Sequence, residues 1–486
     1  MTTLQPRPPY TDQELTKLYP PNLELQLVQI LMRHGERTPV NARFENTGLP
    51  AYWPYCSTVR KLVSPILNPS AGQLSTLEWT RRLETFGQDD QPVFATSDSN
   101  PDNICDMGTL TDVGRTTTYA LGTRLRSLYI NRLSFLPPGL TPSNIPQLYL
   151  RSTPIPRALE SLQHTFSALY PPHTRSPDLL PPTIVTRAHA DETLYPNDAI
   201  CRRFAELSRQ FAQRAAKKWN STPEMEYLDS LYGKHMPEGS KVAVDSRPRL
   251  SGIMDTVNST LAHGPETRLP REFYDERGRE IAEKIEVEEW FAGYKESREY
   301  RMLGIGGLMG DLVQRMVGSA EGRDGGIKLG LSGCHDTTLA GVLMGLGAYE
   351  GDRWPPFSSH IAVEMFRDAR EGEEGKEAGW WGSLFGGKGS RMRGREIGRR
   401  PMGELSEGEK KRLEGYYVRL RYNDEVVTVP GCREKGNHLE GDESFCTLAA
   451  FKEIVDKFTP KNWKQQCRVN KGHPPTPTGE PEWAGY

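Results

Sequence analysis

The chain lacks long apolar runs. None in its 486 residues approaches the roughly 18 needed to cross a bilayer. The N-terminus, MTTLQPRPPYTDQELTKLYPP, has neither the basic region nor the apolar core of a secretory signal. Asp12 and Glu14 also fit poorly with a mitochondrial transit peptide, which is poor in acid, so the simplest expectation is an intracellular, cytoplasmic protein. Cysteine is scarce. Seven are present, an odd number, with no CxxC or other short metal-ligand pair. Cys432 and Cys446 could bridge in an oxidising compartment and would normally stay reduced in the cytosol. Excess charge is also missing: 61 Lys+Arg against 63 Asp+Glu give a net charge of −2, which argues against a broad nucleic-acid surface.

What remains is a globular composition, 36% hydrophobic and 26% charged, with 38 Pro and 46 Gly that imply many loops. The stretch Leu25 to Met32 alternates and then becomes continuously apolar, as a strand entering a sheet interior does. It runs into Arg33-His34-Gly35-Glu36-Arg37-Thr38-Pro39. Residues 41–108 show no long periodic pattern and read as an elaborated loop region. A helix is expected after Leu110-Thr111-Asp112-Val113-Gly114, a short strand at Gln147 to Leu150, a helix from Arg157 to Leu169, and a third strand at Thr183 to Ala188. The pattern turns mainly helical from about Asp198 to Glu321. A strand at Ile327 to Ser332 then leads into Gly333-Cys334-His335-Asp336 and an apolar helix. Ile361 to Phe366 and Tyr417 to Tyr422 alternate like paired strands.

This order predicts an α/β fold: a mixed sheet flanked by helices, with an inserted, mainly helical cap. The expected boundaries are an N-terminal extension at 1–22, an α/β domain at 23–197 and 326–465, and the cap at 198–325. Glu371 to Arg400, rich in Gly and charge, reads as a flexible insertion, and 466–486 as a C-terminal tail.

Three strand-terminal turns are polar and basic: Arg33 to Arg37, Arg151-Ser152-Thr153, and His335-Asp336. Ligand crevices of open α/β sheets lie outside the carboxyl ends of strands, so the three could converge. Guanidinium groups match phosphate oxygens bidentately and stay charged. Several of them with a protonated imidazole would stabilise a transferring phosphoryl group, and a second imidazole could attack phosphorus. Gly35 would let the backbone approach the phosphate, and Asp336 is a candidate proton donor to the leaving alkoxide.

This constellation resembles the histidine acid phosphatase family, a branch of the histidine phosphatase superfamily. The opening Arg-His-Gly-x-Arg-x-Pro is complete at Arg33 to Pro39. His335-Asp336 matches the later His-Asp pair, and Arg151-Ser152-Thr153 matches the middle motif, with Arg157, Ser161 and Leu169-Tyr170-Pro171-Pro172 following in the family manner. The resemblance covers roughly residues 23–460 in discontinuous blocks. It implies a phosphomonoesterase with no cofactor and no metal, with His34 as the nucleophile that becomes phosphohistidine and Asp336 as the proton donor. Arg33, Arg37, Arg151 and His335 would hold the phosphate.

It also implies a small phosphomonoester as partner, with lysophosphatidic acid first among substrates and a phytase or sugar phosphatase as the alternative. An inactive relative that binds phosphorylated ligands is the reading from another class. Arg157 is read as support for its helix or for the site from behind. His189, just past a strand, is a candidate substrate contact. Gly304 to Gly310 fails the G-x-G-x-x-G spacing and reads as a closely packed cap helix. Trp380 to Phe385 and the basic residues of 388–400 could touch an anionic membrane, although a solvated loop explains them more simply.

Overall fold

The fold is that of a computed structural model, which describes residues 3–486 except 59–60, 69, 71, 96–102, 352, 371–396 and 469–479. Its strands are β1 (Leu23–Arg33), β2 (Lys61–Asn68), β3 (Gln73–Thr80), β4 (Glu84–Phe86), β5 (Pro92–Phe94), β6 (Leu148–Ser152) and β7 (Ile184–Val185). They continue with β8 (Leu329–Cys334), β9 (His360–Asp368), β10 (Tyr416–Tyr422), β11 (Glu425–Val427), β12 (His438–Leu439) and β13 (Asp442–Thr447). The first five helices are α1 (Asp12–Leu18), α2 (Asp112–Leu125), α3 (Pro156–Leu169), α4 (Arg202–Trp219) and α5 (Pro223–Tyr232). After them come α6 (Leu250–Leu261), α7 (Glu276–Glu296), α8 (Arg298–Gly304), α9 (Gly306–Ala320) and α10 (Asp336–Gly345).

The main sheet runs β12-β13-β10-β9-β1-β8-β6-β7, with β11 paired to β10. It is mixed: β1, β8, β6 and β7 are mutually parallel, while β9, β10 and the strands beyond them are antiparallel. The apolar run of β1 makes it central, since every side chain from Leu27 to Arg33 is buried. Alternate residues serve opposite faces. Val28, Ile30 and Met32 pack with Leu121, Leu125, Leu162 and Phe166 of α2 and α3, whereas Leu27 and Leu31 join the core containing Leu339 and Leu343 of α10. A separate core, with Trp53, Trp219, Leu228, Ile253 and Ile285, holds α4 to α7 together.

The parallel register decides which strand ends meet. Arg33 pairs with Cys334, and Ser152 with Gly333, so β1, β6 and β8 end level with one another. The mixed sheet and the helices between Asp198 and Glu321 agree with the expected α/β class.

Other elements differ. Residues 41–108 are not loop throughout: β2–β3 and β4–β5 form two antiparallel hairpins apart from the main sheet. The third strand is shorter than Thr183 to Ala188, pairing only at Ile184–Val185. Residues 304–310 are helical and closely packed as expected, apart from a break at Ile305 between α8 and α9, and a side chain on Gly306 would overlap the Phe458 carbonyl. Most of the 371–400 segment, including Trp380 to Phe385, lies outside the described residues. Its end, Ile397–Arg399, is a short helical turn, with Arg399 paired to Asp311 and Arg400 to Glu409.

Six of the seven cysteines form disulfides: Cys56–Cys105, Cys201–Cys467 and Cys432–Cys446. Cys334 is free and buried. Among the described residues, no helix is long and apolar enough to cross a membrane.

Candidate active site

Because β1 and β8 end together, His34 and His335 leave the sheet side by side, their ring centroids 5.5 Å apart. The His34 backbone is clamped from two sides: its N–H donates to the Cys334 carbonyl and its carbonyl accepts from Ser358. Its Nδ1 lies 2.9 Å from the Gly35 carbonyl oxygen. A carbonyl can only accept, so Nδ1 carries the proton and Nε2 keeps its lone pair. Burial, then Arg157, Arg33 and Arg37, hold the His34 pKa well below the usual imidazole value. The lowered pKa favours the neutral ring.

Asp336 opens α10, with His335 as its N-cap. Arg33 lies 2.6 Å from the Asp336 carboxylate, donates to the Pro355 carbonyl, and rests 4.0 Å above the Phe357 ring. Burial alone would raise the Asp336 pKa, but Arg33 and Arg37 outweigh it and keep the carboxyl below its ordinary range. His335 Nε2 lies 3.1 Å from the Thr153 hydroxyl, and burial followed by Arg157 lowers its pKa. Arg37 is oriented by an ion pair of 2.8 Å to Asp255 of α6, which also binds Arg43.

Two expectations require correction. Arg33 reaches the cavity through its ion pair with Asp336, whereas Arg151 neither lines the cavity nor forms an ion pair with a described residue that does. It sits inside β6, its side chain held by Glu192 at 2.6 Å and facing Asp311 of α9 at 3.5 Å, so its charge is already neutralised. Arg157, in the first turn of α3, instead lines the cavity beside His34, Arg37, His335 and Asp336. Burial and the adjacent Arg37 bring its pKa down to about 10, so it remains a cation among cations. The signal for Arg157 is its place just beyond a strand end, whereas Arg151 lies within the strand.

The second correction concerns Gly35. A side chain there would overlap the Gly114 carbonyl of α2, so the position is set by helix packing rather than by room for phosphate. His189 does not line the cavity and reaches it only through Tyr195, whose hydroxyl lies 2.5 Å from His189 Nδ1. Asp255 belongs to no sequence motif, and only the packing of α6 reveals its role.

The cavity is about 530 Å³. His34, Arg37, Arg157, His335 and Asp336 form one end, and Tyr195, Phe204, Trp290, Phe291, Tyr294 and Tyr300 line the rest. Beyond the cationic end its charges balance, Arg209 and Arg249 against Asp198 and Glu289. Among the described residues, no group of three or more His, Cys, Asp or Glu is placed to hold a metal ion.

A cationic cradle with two imidazoles and a carboxyl, at the carboxyl ends of parallel strands, defines a phosphoryl-transfer site on an α/β scaffold. Residues 24–423 match the histidine phosphatase superfamily, branch 2, and the chain belongs to that family. A probable acid phosphatase of Schizosaccharomyces pombe is 36% identical over 462 residues, covering 93% of this chain and 96% of that one. Human lysophosphatidic acid phosphatase type 6 is 28% identical over 379 residues, 75% and 77% of the two chains. The Hafnia alvei phytase solved with tartrate shares the fold with a TM-score of 0.53 at 12% identity, covering 93% of this chain and all of that one. The protein is an acid phosphatase, a phosphoric monoester hydrolase.

Proposed function

We propose that this enzyme hydrolyses phosphomonoesters through a phosphohistidine on His34. The observation that carries this reading is the hydrogen bond from His34 Nδ1 to the Gly35 carbonyl, which leaves Nε2 as the nucleophilic ring nitrogen. Nε2 attacks phosphorus in line, the ester P–O bond breaks, and protonated Asp336 gives its proton to the departing alkoxide. Water then attacks the phosphohistidine, returns a proton to the Asp336 carboxylate, and releases phosphate. Arg33, Arg37, Arg157 and His335 hold the dianion throughout. Without a bound anion the arginines keep Asp336 ionised. A bound dianion cancels that field and raises the carboxyl pKa, so substrate itself prepares the acid.

The helices between 198 and 325 act in this reading as a cap that supplies the aromatic wall. That wall, with balanced charge, supports an apolar leaving group such as the acyl glycerol of lysophosphatidic acid, the substrate named for the human relative. A phytase would need cationic walls for further phosphates. The three disulfides support maturation in an oxidising compartment rather than the cytoplasm expected from the N-terminus.

Alkali-quenched enzyme exposed to labelled substrate should carry phosphate that is stable in alkali and lost in acid, and His34→Ala should lose both the label and at least about 10³-fold in kcat. Label persisting in His34→Ala would overturn the mechanism. A higher kcat/KM for inositol hexakisphosphate than for oleoyl lysophosphatidate would overturn the substrate class and leave the mechanism standing.

A further inference from the structure

The β2–β3 hairpin packs on neither the main sheet nor the helical cores, and its described side chains are largely open to solvent. Val63, Leu67 and Leu74 are 64%, 67% and 70% exposed, and the register puts all three on one face. Ile66, Leu77 and Trp79 occupy the other face and are exposed as well. The sequence from 62 to 77 contains no charged residue, and charge returns only at the base with Lys61, Glu78, Arg81 and Arg82. An exposed apolar patch of this kind marks an interaction surface.

From this arrangement we infer that the β2–β3 hairpin docks the enzyme onto a zwitterionic lipid surface. Three features favour lipid over a second copy of the chain. Both faces of the hairpin are apolar, and a lipid interface can surround both whereas a protein partner covers one. Pro65 has no N–H, and within a two-stranded ladder its nitrogen must face outward, so the free edge of β2 is blunted against strand addition. Trp79 sits where the charged base begins, its indole N–H donating to Ser64 at 2.9 Å, the amphipathic position tryptophan takes at interfaces.

Insertion is shallow, because the outer edges of a two-stranded sheet keep unpaired backbone groups that hydrocarbon cannot satisfy. Attraction to anionic lipid is not the driving force. In the sequence of the two hairpins Arg60, Lys61, Arg81 and Arg82 are balanced by Glu78 of β3, Glu84 of β4, and Asp89 and Asp90 of the β4–β5 turn. The stem ties the hairpin to the catalytic end: Cys56–Cys105 closes it, Asp106 pairs with Arg81 and accepts from the Thr38 hydroxyl, and Gly108 accepts from Arg157.

The test measures co-sedimentation of the full chain with phosphatidylcholine vesicles in the absence of substrate, so it is independent of the substrate class proposed above. Wild type should pellet with vesicles, and L67S/L74S/W79S should partition at least roughly tenfold less while retaining wild-type kcat/KM on p-nitrophenyl phosphate. Adding phosphatidylserine should leave binding unchanged or weaker. Three results would overturn the inference: wild type left in the supernatant, equal partition of the two proteins, or binding only to phosphatidylserine vesicles. A wild-type dimer in solution that the substitutions dissolve, without lipid binding, would overturn it too and assign the surface to a second copy.

Discussion

The stretch from Arg151 to Arg157 carries two guanidinium groups with opposite duties, and substitution should separate them. Arg151 is 2% exposed and neutralises Glu192 and faces Asp311. Arg151→Ala leaves those carboxylates buried with less compensation and should cost about 3–5 kcal/mol, read as a large fall in Tm. Arg157 sits instead among like charges in the cradle. Arg157→Ala should leave Tm unchanged or raise it, and lower kcat by roughly 10²–10³-fold through loss of charge stabilisation. Calorimetry beside steady-state kinetics reads both, and a reversed pattern would restore Arg151 to the phosphate.

Histidine titration gives a second residue-scale expectation. His34 and His335 both have folded pKa values below the ordinary 6.5, because burial and the arginines oppose a proton. The unfolded chain binds those protons first, so their contribution to stability is complete above pH 6.5 and is lost as the pH falls toward the lowered values, at up to about 1.4 kcal/mol per group per pH unit. An anion in the cradle reverses the penalty on His335. Sulfate stays dianionic across this range, so its affinity reports the protein alone. It should tighten by up to roughly tenfold per pH unit below 6.5, since anion and proton binding are linked. Inhibition constants that do not change with pH would show that His335 takes no proton on binding.

At the scale of elements, Gly35 and Gly114 fix how closely the catalytic turn approaches α2. A side chain on Gly35 would overlap the Gly114 carbonyl, and one on Gly114 would overlap Glu36, so both faces of the contact are backbone. Gly35→Ala should therefore destabilise by about 1–3 kcal/mol and displace His34, lowering kcat and Tm together. A loss of activity at unchanged Tm would return the glycine to a role against phosphate.

The same contact shows where the sequence could be read. Arg33 to Pro39 and His335-Asp336 each directly follow an apolar strand, and parallel register then has to align them, so consecutive residues were enough. Arg157 could not be chosen over Arg151 that way, because the choice depends on which side of β6 each guanidinium leaves and on the phase of the first turn of α3. The β2–β3 hairpin was hidden for another reason. With apolar side chains on both faces it lacks the alternation that announces a strand packed on one side. Asp255, more than 200 residues from Arg37 in the chain, meets it only through the packing of α6.

For the whole molecule, the disulfides bind together parts that the sheet alone does not. Cys201 precedes α4 and Cys467 lies near the C-terminal end of the described chain, with a sequence separation of 266. Closing a loop of that length removes unfolded-state entropy worth about 5 kcal/mol in the chain-entropy account, the largest contribution of the three bridges. The bridge also holds the start of the first cap helix, whose Phe204 and Ser208 line the cavity. Cys334, which pairs with Arg33 in the sheet register and directly precedes His335, stays out of this chemistry because burial raises its thiol pKa and hides it from thiol reagents in the native state. Titration in denaturant without reductant should therefore count one thiol per chain, and none when native. Reduction should lower Tm, and Cys201→Ser/Cys467→Ser should lower it more than Cys432→Ser/Cys446→Ser, whose loop spans only 14 residues. Seven reactive thiols in protein isolated from its native source would show that the bridges do not form there, and would return the enzyme to a reducing compartment.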